Sequence, residues 1–403
     1  MIVGIITEYN PFHNGHLYQI NKIREEFGED TAIVAIMSGN YVQRGGVAIA
    51  DKFTRAKCAV LSGVNLVLEL PFPFSMSSAE FFAKGAISIL DNLGCIDVLS
   101  FGSEHGDITS LVNIATAMSS EKYTDAFSKI SSDSKFVKLG YPQLCELAIK
   151  EVIGENTEFD FTPNNILGIE YIKALQSLNS NIKPHTIQRL NSSYSDEQII
   201  PGSIQSATAI RNNLFEDGVS ALEYVPNAVK NILLNASENG DFPCDEEKLS
   251  SAIISSFRLD LPSDHEKIHD AAGGLYNRLR AISFETNTIS DMVRSAETKK
   301  FTKARVRRAI YNTYLSVTSS QVKESPQFTQ ILALDSIGRS ILKSIRKNSD
   351  FPILTKPSDT DGLSELAKRQ KDVSDRADSV FQLTKPLAKD GNYALRVTPF
   401  VKK

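Results

Sequence analysis

The stretch "HNGH", His13 to His16, places two of the chain's six histidines three residues apart, directly after the apolar run "MIVGII" and the turn-forming "TEYNP". At i and i+3, two imidazoles project from one side of the first turn of a helix. The start of a helix offers free backbone N–H groups and the positive end of its dipole, which together make an anion site. Pro11 stiffens the approach, and Gly15 lets a ligand come close to the backbone. Two imidazole donors beside a phosphate can stabilise oxygens that gain charge in the transition state, with no covalent step. His13 and His16 are therefore the candidate catalytic pair, and phosphate is the candidate ligand.

A second cluster suggests a different partner. "TKKFTKARVRRAIYNTYL" contains Lys299, Lys300, Lys303, Arg305, Arg307 and Arg308 with no acidic residue among them. Read as one helix, positions 300, 303 and 307 fall along one side next to Arg308, with Tyr311 and Tyr314 close by. Such a stripe suits RNA phosphates, and tyrosines can stack on unpaired bases. Arg339, Lys343, Arg346 and Lys347 in "GRSILKSIRKNS" form a weaker second patch.

The elements that must position these residues follow a regular rhythm. Strands are predicted at Ile2 to Thr7, Thr31 to Met37, Val64 to Leu70 and Ile96 to Phe101, separated by helices at His16 to Phe27, Ala50 to Ser62 and Ser78 to Leu93. Apolar runs alternating with helices indicate βαβ units, hence an α/β, doubly wound parallel sheet covered on both faces. In such sheets ligands bind beyond the carboxyl ends of the strands. Three polar loops fall there: "TEYNPFHNGH", "SGNYVQRGG" and "GSEHGD". From Asp107 to Ala174 the pattern is mostly helical and includes "PNNILGIEYIKAL"; a strand at "KPHTIQRL" then leads through "NSSYSDEQIIPGSIQ" to the helix "SATAIRNNLF". Beyond residue 215 the rhythm stops. Helices are expected at Glu247 to Phe257, His265 to Phe284, Ile289 to Ser295 and Lys303 to Leu315, with a further α/β-like segment around Ile331 to Leu354. This predicts two domains, residues 1–215 and a mainly helical 216–403.

Composition sets the outer limits. At 403 residues, 41% hydrophobic and 23% charged, the chain is an ordinary globular sequence, and no apolar run is long enough for a membrane span. The start, "MIVGIITEYN", has no basic segment or small-residue cleavage site and reads as a core strand, so a cytoplasmic placement is expected. Cys58, Cys95, Cys145 and Cys244 are widely spaced and without a CxxC pair, which argues against both a zinc site and a disulfide framework. The net charge of −4 speaks against a uniformly basic protein but not against a local basic surface.

"HNGH" at the first strand-to-helix turn resembles the HxGH signature of the nucleotidyltransferase superfamily, whose members act at the α-phosphate of ATP or CTP and release pyrophosphate. "SATAIR", Ser206 to Arg211, resembles that superfamily's second signature, ISSTxIR, but has Gln205 where isoleucine is usual and Ala207 where the second serine is usual. A more specific likeness lies in "EYNPFHNGHLYQI", "MSGNYVQRGGVAIADKFTRAKCAVLSGVNLVLELPF", "SFGSEHGDI" and "PNNILGIEYIKAL". Together they are similar to the bacterial tRNA(Met) cytidine acetate ligase family. The resemblance implies activation of acetate by ATP as acetyl-adenylate and transfer of the acetyl group to N4 of the wobble cytidine of elongator tRNA(Met), with no acetyl-CoA. Mg²⁺ is the expected companion of ATP.

Carried over by residue, the resemblance assigns ATP to the segment Thr7, Glu8, Tyr9, Asn10, Pro11, Phe12, His13, Asn14, Gly15, His16, Leu17, Tyr18, Gln19 and Ile20. It adds Gly102, Asn165 (or its neighbour Asn164) and Arg189, and gives Ser206, Thr208 and Arg211 to the triphosphate. Ser38, Gly39 and Gln43 are candidates for the acetate pocket. Other readings remain open at this point. A cofactor-type nucleotidyltransferase explains both signatures but leaves the basic run unused, and a class I aminoacyl-tRNA synthetase would need a KMSKS-like loop, which is not found. A nucleotide-sensing RNA-binding protein would keep the fold without the chemistry.

Overall fold

Along the strand Ala32–Ser38 every residue is buried, and its side chains divide by parity: Ala32, Val34 and Ile36 join one core, Ile33, Ala35 and Met37 the other. A strand apolar on both sides must be covered on both faces, and the rest of the architecture follows from that. The computed structural model describes residues 1–136, 139–154, 159–189, 204–356 and 358–403. Its strands are β1 (Ile2–Thr7), β2 (Ala32–Ser38), β3 (Leu66–Leu70), β4 (Val98–Ser103), β5 (Lys183–Gln188), β6 (Thr329–Leu334), β7 (Ile353–Leu354) and β8 (Phe400–Val401).

The sheet runs β5-β4-β1-β2-β3-β6-β7, with β8 also paired to β6. β1 to β5 are mutually parallel, with Ile2 opposite Ala32 and Val3 opposite Val98. The order reverses beside β1: β2 and β3 are laid down on one side and β4 and β5 on the other. A crevice therefore opens at the carboxyl ends of β1 and β4, which makes it the expected ligand site.

The helices in chain order are α1 (Asn14–Phe27), α2 (Lys52–Leu61), α3 (Ala79–Asn92), α4 (Ile108–Met118), α5 (Glu121–Ser132), α6 (Tyr141–Ile153), α7 (Pro163–Ser177) and α8 (Ala207–Glu216). They continue with α9 (Asn227–Glu238), α10 (Ser250–Arg258), α11 (Leu275–Ser283), α12 (Ile289–Ala296), α13 (Lys303–Tyr314), α14 (Ser319–Lys323), α15 (Ser336–Asn348) and α16 (Glu365–Phe381). α1, α2, α8 and α9 cover one face of the sheet, and α3, α4, α7 and α15 cover the other. α10 to α13 and α16 enclose a third core, into which Tyr41, Phe72 and Met76 reach from the loops at the strand ends. No helix among the described residues is long and apolar enough to cross a membrane.

From beyond residue 215, β6 returns to pair antiparallel with β3, Leu66 opposite Leu334, and so extends the sheet. Two sequence expectations need correction. The expected long helix from His265 to Phe284 is broken. Asp270 has φ 63° and Gly273 and Gly274 have φ 76° and 89°, a left-handed stretch that no α-helix can contain, and α11 begins only after it. The basic run is not one helix either, since Thr302 caps α13 and leaves Lys299 and Lys300 in the preceding turn. Most of "NSSYSDEQIIPGSIQ" lies outside the described residues.

Candidate active site

At the end of β1 the chain turns sharply through Tyr9, which has φ 47° and is 1% exposed. A left-handed, bulky residue persists only when its surroundings hold it there. Tyr9 packs against Phe12 and His16, with ring centroids 4.7 and 4.8 Å away. Arg211 Nη1 donates to the Asn10 carbonyl at 2.7 Å, and Asn10 Oδ1 accepts from the Ile49 amide at 2.7 Å. Tyr9, Phe12 and Ile20 are thus core residues that support the turn rather than line it. Pro11 is buried with them, Leu17 and Tyr18 pack on the same core, and the side-chain amides of Asn14 and Gln19 donate to the carbonyls of Tyr224 and Ser100.

His13 is the N-cap of α1. Its Nδ1 accepts from the Gly15 amide at 3.0 Å, while His16 Nδ1 accepts from the His13 amide at 3.1 Å. This is a reciprocal cap with imidazole nitrogens in place of the usual side-chain oxygens. The chemical consequence is direct. A neutral imidazole that accepts at Nδ1 must carry its proton on Nε2, so each ring presents an N–H on its far side. Neither Nε2–H has an acceptor among the described residues. Burial, helped by Arg189 and Arg211, lowers the His13 pKa to about 3, and burial with His13 and Arg189 keeps His16 well below the ordinary value. Both are neutral donors at physiological pH. The rings lie 3.8 Å apart between centroids. A Cβ at Gly15 would stand 2.8 Å from His13 Cε1, so only glycine permits this packing.

On the β4 side of the crevice, Gly102 lies against the Arg189 side chain, and the Arg189 amide donates to the Ser103 carbonyl at 3.0 Å. Asn165, 1% exposed, accepts from the Glu104 and His105 amides at 3.0 and 3.3 Å and donates to the Asp160 carbonyl at 2.8 Å. Its side chain is therefore already used in shaping the loop after β4. Asn164 and Thr162 grip the Glu104 carboxylate at 2.5 and 2.7 Å. From the β1 side, α8 points its N-terminus toward the turn: Ser206 Oγ caps the Ala209 amide at 3.0 Å, and Thr208 Oγ1 accepts from Arg211 Nη2 at 3.0 Å. Burial, with Arg307 and Arg44 nearby and against the pull of Glu8, holds the Arg211 pKa below the usual guanidinium value.

Sequence reasoning missed Arg55. It is 1% exposed and donates to the carbonyls of Ala50, Glu8 and Ser38 at 2.9, 2.6 and 3.1 Å, and to that of Gly39. One buried guanidinium thereby ties together the ends of β1 and β2. Burial brings its pKa down to about 10, still charged at neutral pH. The signal was faint: an arginine on the inward side of an otherwise apolar helix face. Among the proposed acetate residues, Ser38 Oγ is buried without a partner, Gly39 packs against Glu69, and Gln43 is bonded to Glu8 and Ser77.

The basic run divides in two. Lys299, Lys300 and Lys303 are exposed. Arg305 donates to the Asp270 and Ala272 carbonyls, Arg307 pairs with Glu246 at 2.6 Å, and Arg308 pairs with Asp270 at 2.7 Å. Arg307 and Arg308 are thus turned inward instead of lining an RNA surface, because the internal carboxylates hold them. Tyr311, fully buried and bonded to Glu246, is likewise closed to a base. No three His, Cys, Asp or Glu side chains among the described residues are grouped to hold a metal ion.

Paired imidazole donors at a switch-point turn, faced by a second helix N-terminus and an arginine, define a nucleotidyl transferase of the HIGH type. The family model described as HIGH Nucleotidyl Transferase matches residues 1–394. Within that class, the chain belongs to the tRNA(Met) cytidine acetate ligase family. It is 38% identical over 382 residues to the tRNA(Met) cytidine acetate ligase of Thermoanaerobacter sp. strain X514, covering 92% of this chain and 93% of that one. With the Acetivibrio thermocellus protein of the same name it shares 37% identity over 372 residues, 89% of this chain and 88% of the other. The fold is similar to that of Thermotoga maritima TmcAL bound with alpha-thio ATP, with TM-score 0.86 and 30% identity over 99% of each chain. The apo form of that protein matches with TM-score 0.88.

Proposed function

We propose that this chain joins ATP and acetate into acetyl-adenylate, releasing diphosphate, and then transfers the acetyl group to N4 of the wobble cytidine of elongator tRNA(Met). The observation that carries this reading is the reciprocal cap of His13 and His16, which leaves two neutral Nε2–H donors at a helix N-terminus with no acceptor among the described residues. Acetate arrives as a carboxylate and needs no general base. Its oxygen must be held in line with the α-phosphorus while the bond to the leaving diphosphate breaks. The two imidazoles, the N-termini of α1 and α8, and Arg211 supply fixed donors where that leaving group gains charge.

The second half-reaction needs an activated donor, because the cytosine N4 lone pair is delocalised into the ring. Attack of N4 on the acyl carbon of the adenylate expels AMP, and N4 gives up a proton. An anticodon loop exposes its bases, so presenting the cytosine costs little. Exposed Lys299, Lys300 and Lys303 are the proposed tRNA contacts, with Arg305, Arg307 and Arg308 supporting them from within. The test is incubation of purified protein with ATP, labelled acetate and bulk tRNA, followed by nuclease digestion. Labelled N4-acetylcytidine is expected, with ATP required and acetyl-CoA unable to replace acetate. Failure to catalyse acetate-dependent ATP–pyrophosphate exchange would overturn the reading.

A further inference from the structure

The loop after β2, "SGNYVQRGGV", is held from all sides. Asn40 Nδ2 donates to Asp378 Oδ1 at 2.7 Å, and the Tyr41 hydroxyl donates to the Ala377 carbonyl at 3.0 Å. The Gln43 amide donates to Glu8 Oε1 at 2.7 Å. Arg307 Nε donates to the Gly45 carbonyl at 2.8 Å. Gly45 and Gly46 have φ 88° and 111°, and a Cβ on Gly45 would lie 2.6 Å from Arg307 Cβ, so α13 packs directly on this turn. Within residues 38–47 the one exposed side chain is Arg44. It has no hydrogen bond or ion pair among the described residues. A loop braced at the carboxyl end of β2 thus presents a cation that no described residue pairs.

Its position separates two uses of that charge. His13, His16 and the half-buried Arg211 gather at the opening turn, whereas Arg44 is exposed, close enough for its charge to act on Arg211. The loop is bolted to α13 at Arg307, and exposed Lys303 stands one helical turn earlier on that helix. Arg44 is thus carried on a loop that links the end of β1, through Glu8, to the helix bearing exposed Lys303. We propose that Arg44 binds a phosphodiester of the tRNA beside the target cytidine and so positions N4 against the acyl-adenylate, an inference that rests on the acetate-ligase reading.

The test compares Arg44→Ala and Arg44→Lys with the unaltered protein in two assays: acetate-dependent ATP–pyrophosphate exchange without RNA, and single-turnover acetyl transfer to tRNA over a range of salt. Arg44→Ala should keep exchange within about twofold, lose about tenfold or more in transfer, and flatten the salt slope by about one, as expected for one lost phosphate contact. Arg44→Lys, which keeps the charge, should recover most of the transfer rate. If exchange falls as far as transfer, Arg44 serves ATP and the inference is overturned; if neither transfer nor salt slope changes, it is likewise overturned. Inactivity of the unaltered protein in exchange would instead retire the acetate-ligase reading itself.

Discussion

At the scale of single residues, the site depends on keeping two histidines neutral and correctly protonated. Because burial depresses both pKa values, with His13 at about 3, neither ring titrates near the ordinary 6.5. The pH profile of kcat for exchange at saturating ATP, which reports the enzyme–substrate complex, should therefore show no histidine break at 6.5; a break there that His13→Gln and His16→Gln abolish would mean that an imidazolium takes part. The same depression has a sign for stability. Between about pH 6.5 and about 3 the unfolded chain binds protons that the folded turn refuses, so stability is level above that window and declines as pH falls through it. Acid titration followed by circular dichroism checks this. Replacing His16 by alanine removes one preorganised donor and should slow exchange by about a hundred- to a thousandfold. Binding of tRNA, measured by filter retention, should stay nearly intact, and loss of both would assign His16 to folding.

At the scale of elements, two connections place chemistry at the strand ends. α8 reaches the opening turn through Arg211 and is started by the Ser206 cap. Ser206→Ala should lower stability by about 1 kcal/mol and weaken ATP binding in calorimetry, since α8 would no longer present its N-terminus squarely. α13 reaches the β2 loop at Gly45, whose φ of 88° and contact with Arg307 leave no room for a side chain. Gly45→Ala should cost about 1–3 kcal/mol through backbone strain, read as a lower urea midpoint. An unchanged midpoint would mean that α13 does not brace the loop.

At the scale of the whole molecule, the C-terminal half is built into the catalytic half through a buried charge cluster. Lys52, at the start of α2, pairs with Glu69 of β3 at 2.8 Å and with Asp378 of α16 at 2.6 Å, and all three side chains are at most 8% exposed. Burial opposes the Lys52 charge, yet Asp378 and Glu69 outweigh it and hold its pKa above the ordinary lysine value. Lys385 likewise bridges Asp51 and Asp241 at 3.1 and 3.0 Å. Lys52→Met would strand two buried carboxylates and should cost about 3–5 kcal/mol in urea unfolding. For the same reason a fragment of residues 1–215 should not fold as an independent domain. It would lack both α16 and β6, leaving the apolar edge of β3 open to other chains. A monomeric, cooperatively melting fragment would refute this.

The doubly wound sheet and the opening turn were legible because their causes are local. Apolar runs buried on two faces need helices on both sides, and a strand that breaks into a helix at HxGH needs the loop chemistry found there. "SATAIR" was legible for the same reason, as a cap followed by an amphipathic helix. The proper reading of "ARVRR" was not. Lys300, Lys303 and Arg307, three and four apart, read with Arg308 as a stripe for RNA phosphates, and only Glu246 and Asp270, distant in the chain, turn Arg307 and Arg308 inward. Nor could periodicity show that β6 closes the sheet or that Arg55 fastens two strand ends. Local pattern determines which element forms and which of its faces is apolar, but the destination of a buried charge is decided by its partner, and that partner is brought to it only by the folded chain.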